Sequence, residues 1–188
     1  MLDSTATCNQ LLEEFRAYLE TLTWIQIDPR LRSKISMSDI IQSTWIKAWR
    51  ELERIETMDA DSRKARLRKM LIHNLLDKIE ELRTGKRDVR LEQSLDEAAA
   101  ESSCRLRNWL AAEQSTPSGH LVKQEEKLRV LEALAQLPER EREALILQQY
   151  HGWKLRQIAE HLGCTTNAVA GYQARGRKRL RELLADLE

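Results

Sequence analysis

Proline, glycine and cysteine are all scarce in this 188-residue chain, which has three prolines, six glycines and three cysteines. So few turn-forming residues exclude a β-sandwich or a series of hairpins and suit a mostly helical protein of one or two domains. Cys8, Cys104 and Cys164 are odd in number and far apart, so they form neither a disulfide framework nor a paired metal motif. His161 lies three residues before Cys164, but zinc takes four ligands and no second pair accompanies these two, so no metal is expected. There is no glycine-rich phosphate loop and no serine, cysteine or histidine placed beside a plausible base, so neither an enzyme nor a cofactor is expected. The N-terminus lacks an apolar leader core, and no apolar run is long enough to cross a bilayer. The expected setting is reducing and cytoplasmic, without membrane insertion. An excess of charge of one sign is also missing: the formal net charge is +1. Any nucleic-acid reading must therefore come from the distribution of charge.

That distribution is uneven. Cations cluster at Arg63 to Lys69, at Lys86 to Arg90 and at Arg175 to Arg181. The periodicity predicts helices throughout. Leu11 to Ile27 carries Leu11, Leu12, Phe15, Leu19 and Leu22 on one face, and Asp28-Pro29-Arg30 breaks it. Ser38-Asp39 starts the next helix, a capping residue followed by an acid where the helix dipole favours one. It runs through Ile41, Trp45, Ala48, Trp49 and Leu52. Core packing is the better expectation for at least one of the two tryptophans. The opposite face, with Asp39, Gln42, Ser43, Lys47 and Arg50, is either solvated or a docking face. A loop is expected over Glu56 to Ser62, then a helix from Arg63 to Arg83 with Leu67, Leu71, Leu75 and Ile79 on one face, stopped by Gly85. The first half of that helix is strongly basic, against the dipole, which an anionic partner would explain. Val89 to Gly119 is rich in small and turn-forming residues and reads as a linker, partly helical, with a boundary near residue 118.

Helices follow over Leu121 to Leu137 and Glu139 to Gln149, the second expected to bury Ala144, Leu145, Leu147 and Tyr150. Leu155, Ile158, Ala159 and Leu162 then form one face of a short helix. Gly163 is placed to stop it and Thr165 to cap the next, which carries Val169, Tyr172, Leu180, Leu183 and Leu184. A short helix, a glycine turn and a longer basic helix make a helix-turn-helix, a unit that sets its second helix in the DNA major groove. Residues near the start of that helix reach base edges, and later cations hold phosphate. On that geometry Thr166, Asn167, Ala170, Gly171 and Gln173 approach the groove, Asn167 and Gln173 able to pair with adenine, while Arg175, Lys178 and Arg179 hold the backbone. The expected fold class is all-α, two small helical domains joined by a linker.

The segment LPEREREALILQQYHGWKLRQIAEHLGCTTNAVAGYQARGRKRLRELL resembles the fourth conserved region of bacterial sigma factors, and DPRLRSKISMSDIIQSTWIKAWRELE resembles the second. The short chain with only these two regions and a linker resembles the extracytoplasmic-function group of the sigma-seventy superfamily. The resemblance implies a transcription initiation factor with residues 1–90 as the region-2-like domain, 91–120 as linker and 121–188 as the region-4-like domain. It implies docking on core RNA polymerase through Asp39, Gln42, Trp45, Lys47 and Trp49. It implies capture and opening of the minus-ten element of promoter DNA by Arg63, Lys64, Arg66, Lys69, His73, Asn74 and Asp77. The C-terminal helix would read the minus-thirty-five element, the linker would thread near the polymerase channel, and an anti-sigma factor would be a further partner. The alternatives are a stand-alone helix-turn-helix regulator, which would need no separate strand-opening domain, and an adaptor binding proteins alone.

Overall fold

The computed structural model describes the backbone of residues 15–84, 89–114 and 118–185, and the side chains of 15–84, 94–112 and 125–185. Leu11, Leu12, Gly85 and the cations at Lys86 and Arg87 lie outside the described residues. The described residues are all helix and connecting turns, and the chain divides into two units, 1–115 and 116–188.

The first unit holds α1 (residues 15–26), a single 3₁₀ turn (Pro29–Leu31), α2 (Met37–Arg50), α3 (Leu52–Glu56), α4 (Ala60–Thr84) and α5 (Val89–Gln114). The break after α1 is built on Asp28, whose carboxylate accepts the Arg30 backbone N–H at 2.9 Å and the Arg30 guanidinium at 2.9–3.0 Å. The cap of α2 is Ser36, not Ser38: Ser36 Oγ accepts the Asp39 N–H at 3.3 Å. The basic helix begins earlier than its cations suggest. Asp59 accepts the Ser62 N–H at 2.9 Å and the Ser62 hydroxyl at 2.6 Å, so the first turn of α4 forms over residues expected as loop. Leu19, Leu22, Leu71, Ile72, Leu75 and Ile79 are 0–1% exposed and form the centre of this unit.

Residues 89–114 of the stretch expected as a linker fall in this first unit, and 118–120 fall in the second. Residues 89–114 are one continuous helix that packs on α4 and on the 3₁₀ turn. Ala98, Ala99, Ser102 and Ser103 are buried, Ser102 Oγ accepts the Asp28 N–H at 2.9 Å, and Arg105 Nε donates to the Gln26 carbonyl at 3.0 Å. The small residues that resemble linker chemistry lie on the buried face of this helix, where the Ser102 hydroxyl reaches the backbone at Asp28.

The second unit holds α6 (Ser118–Ala135), α7 (Glu139–Gln149), α8 (Leu155–Leu162) and α9 (Thr166–Ala185). Helix α9 packs on α6, α7 and α8. Ala144, Leu147, Ile158, Ala159, Leu162 and Val169 form its core, with Trp153, Cys164 and Tyr172 packed at the edge. Tyr150, expected inside, is 45% exposed because α7 ends there and the chain turns away through Gly152, at φ 68°. Buried Glu141 and Glu143 take the inward positions of α7 that its apolar residues leave over.

Four consecutive charged residues on α7 tie the second unit together. Arg140 donates to the Leu162 carbonyl at 2.8 Å, closing the end of α8. Glu141 pairs with Arg175 at 3.2 Å and Arg179 at 2.6 Å on α9. Arg142 donates to the Ala135 carbonyl at 3.3 Å at the end of α6, and Glu143 Oε1 lies 3.0 Å from His161 Nε2 on α8. Each neighbouring helix is thus held by a polar contact to a carbonyl or charge, so α7 buries acids without leaving them unsatisfied.

Candidate nucleic-acid interface

The turn between α8 and α9 shows why this sequence makes a helix-turn-helix. Gly163 takes the left-handed conformation at φ 62°, ψ 40°, a region open to glycine at no steric cost. The Cys164 N–H then returns to the Ala159 carbonyl at 2.9 Å, and Thr165 Oγ1 accepts the Ala168 N–H at 3.2 Å, starting α9. The start of α8 is capped by Gln157, whose side chain accepts the Lys154 N–H at 2.9 Å. Trp153 meets the His161 ring edge-on at 5.3 Å between centroids, holding α8 against the turn that precedes it.

Helix α9 places the expected groove residues unequally. Thr166, Asn167 and Ala170 are exposed at its start and Gly171 is half-buried. Gln173 is not on that face. It is 2% exposed and donates to the Ala144 carbonyl at 3.4 Å, because its position falls on the side that packs α7. Asn167 is therefore the amide of the two that faces solvent. Arg175, Lys178 and Arg179 are exposed, yet Arg175 and Arg179 both lean on Glu141, which is 6% exposed. Arg177 and Arg181 share the exposed face, Arg177 donating to Gln148 Oε1 at 3.3 Å.

On α4 the basic run is divided between surface and interior. Arg66 makes a two-oxygen pair with Glu51 at 2.6–3.0 Å, which binds α4 to the α2–α3 junction. That pairing holds the Glu51 carboxyl below the usual range, chiefly through the hydrogen bond from Arg66. Arg68 is buried and donates to the Tyr18 hydroxyl at 2.6 Å. Arg63 Nε donates to the Met58 carbonyl at 2.9 Å, and Lys64 and Lys69 are half-buried. Asn74 is a core residue, 6% exposed, donating to Thr44 Oγ1 at 2.9 Å, and Thr44 in turn donates to the Ile40 carbonyl at 2.8 Å. Asn74 therefore joins α4 to α2. His73 and Asp77 are exposed, and Asp77 lies 3.8 Å from Lys47 on α2.

On α2, Asp39, Gln42 and Lys47 are exposed, Trp45 is half-buried and Trp49 is 49% exposed. Trp45 is thus the more packed of the two tryptophans. Ile46, at 50% exposed, is an apolar group that the sequence reading missed. Its signal was available: it lies three residues before Trp49, within a face otherwise made of Gln42, Ser43, Lys47 and Arg50.

Residues 127–180 match the family model described as Sigma-70, region 4. That match lies within the C-terminal unit. The match spans the end of α6, all of α7 and α8, and most of α9, so it covers every contact of the helix-turn-helix described above. No curated protein matches the chain. A solved structure titled as the cocrystal structure of the flagellar sigma/anti-sigma complex, Sigma-28/FlgM, aligns with 98% of this chain and 98% of that chain, at 20% identity and a TM-score of 0.40. Among the described residues no group of three or more His, Cys, Asp or Glu is placed to hold a metal, and no helix is long and apolar enough to cross a membrane.

Proposed function

We propose that this chain is a sigma factor of the extracytoplasmic-function type, which binds core RNA polymerase and directs promoter recognition and transcription initiation, with no catalysis of its own. The region 4 match over residues 127–180 carries the reading, since it falls on a helix-turn-helix whose second helix presents Thr166, Asn167 and Ala170 and then a run of cations. In this reading α9 contacts the minus-thirty-five element of promoter DNA. Asn167 addresses a base, and Arg175, Lys178 and Arg179, joined by Arg177 and Arg181, address phosphates.

The first unit would serve as the region-2-like domain. Helix α2 supplies the polymerase-docking face, with Ile46 and Trp49 as apolar anchors among Asp39, Gln42 and Lys47. The minus-ten surface would draw on Arg63, Lys64, Arg66, Lys69, His73 and Asp77, with Arg66 also paired to Glu51, while Asn74 is buried against Thr44. An anti-sigma factor remains a partner expected from the family resemblance, and the working compartment is the cytoplasm, where polymerase and promoters are found.

Run-off transcription on a genomic fragment library, with core polymerase alone and with the chain added, tests the proposal. New start sites that depend on the chain are the expected result. Duplex binding without new starts would instead mark a stand-alone regulator, and loss of both would mark a protein-only adaptor.

A further inference from the structure

Arg175 differs from the other cations of α9 in how completely its guanidinium is positioned. Its Nε donates to Glu141 Oε1 at 3.2 Å, and that carboxylate is 6% exposed and shared with Arg179. Its guanidinium carbon lies 5.4 Å from the centroid of the Tyr172 ring. A Cβ at Gly171 would stand 3.2 Å from Arg175 Nη1 and 4.0 Å from the guanidinium carbon, so the group folds back into the space that glycine leaves. The side chain nevertheless remains 55% exposed. A glycine inside a helix is unfavourable by itself, and nothing in the turn geometry requires one here, since Gly171 is not among the glycines with positive φ.

We infer that Glu141, Tyr172 and Gly171 are positioning residues for Arg175, setting its Nη edge in advance as a clamp for a backbone phosphate beside the groove-facing start of α9. The inference rests on the duplex-binding reading and adds to it which cation is preorganised and by what. A guanidinium with Nε on a carboxylate keeps its Nη pair for a second anion, and the fork geometry suits phosphate. Preorganisation saves the rotamer entropy that a mobile arginine loses on binding. Gly171 then leaves room for a side chain of its own helix.

The test is a double-mutant cycle on the full chain with Gly171→Ala, Arg175→Ala and the double variant. It is read as binding to a short random-sequence DNA duplex over a salt series, with a melting curve for each protein. Arg175→Ala keeps Arg179 on Glu141 and should stay folded, binding about tenfold more weakly, with a salt slope lower by about 0.9. Gly171→Ala should melt no lower than the parent yet bind several-fold more weakly, and in the Arg175→Ala background it should cost nothing further. A Gly171→Ala chain that binds like the parent overturns the inference. So does an equal loss in both backgrounds, since that would place the methyl group against DNA directly. A parent chain that ignores the duplex even at low salt would overturn the duplex-binding reading as well, which separates the two failures.

Discussion

At the scale of single residues, polar side chains in this protein divide sharply between surface work and internal joints. Asn74 and Gln173 are the informative cases, because both have the chemistry to read a base and both are buried on a neighbouring helix. Asn74→Ala should cost about 1–3 kcal/mol in denaturant unfolding, since it strips a partner from buried Thr44. Promoter binding by the folded fraction should not change. A comparison of Asn167→Ala with Gln173→Ala on matched and single-base-substituted promoters separates the two amides. The Asn167 variant should lose discrimination at one base pair, by about 1–3 kcal/mol if the contact is bidentate. The Gln173 variant should lose stability and keep its base preference.

At the scale of elements, junctions rather than helix interiors decide how this protein is built. Two glycines five residues apart on α9 should respond oppositely to alanine. At Gly176 a Cβ would meet Leu145 Cδ1 at 2.9 Å and Glu141 Cβ at 3.3 Å, because α7 and α9 touch there. Gly176→Ala should lower stability by about 1 kcal/mol, the crowding outweighing the gain in helix propensity. Gly171→Ala meets only the far end of a side chain and should hold or raise the melting temperature. The Glu51–Arg66 joint makes a pH prediction. The folded Glu51 carboxyl titrates below its ordinary value, so the joint's contribution is full above the unfolded glutamate pKa and fades as pH falls through the folded one. The melting difference between the parent and Arg66→Gln should therefore be steady near neutrality and shrink below about pH 4. A difference that persists unchanged in acid would show that Arg66 acts by packing instead.

At the scale of the whole molecule, each unit keeps its own core and presents its own surface. The α2 face of the first unit is the place for polymerase under the proposed function. Replacing Ile46 and Trp49 together by Ala should leave the protein folded at a cost of about 1–2 kcal/mol, because only half of each side chain is buried. The same change should weaken core-polymerase binding by tenfold or more if the pair is the anchor of that interface. Pull-down of core polymerase together with a melting curve checks both halves of the expectation. Retention of full binding would move the docking site elsewhere.

The all-α class, the bounds of α7 and α8, and the glycine turn and threonine cap of the helix-turn-helix were legible in the sequence. They depend on local rules: apolar spacing at the helical period, a left-handed glycine, and an oxygen at an N-cap. Tertiary structure decided which face of a helix each polar residue occupies in relation to its neighbours, and a sequence does not carry that information locally. Arg66 and Lys69 look alike in the chain, but Glu51 arrives from another helix to claim the first. Ala98, Ala99, Ser102 and Ser103 read as linker by composition and lie on the buried face of a helix, because small residues serve loose chain and close helix contact equally well. Gln173 was placed at the groove by its spacing along α9, and packing against α7 turned that position inward. Periodicity along one strand of chain determines elements, whereas burial and charge pairing depend on residues distant in sequence and are settled only when the helices meet.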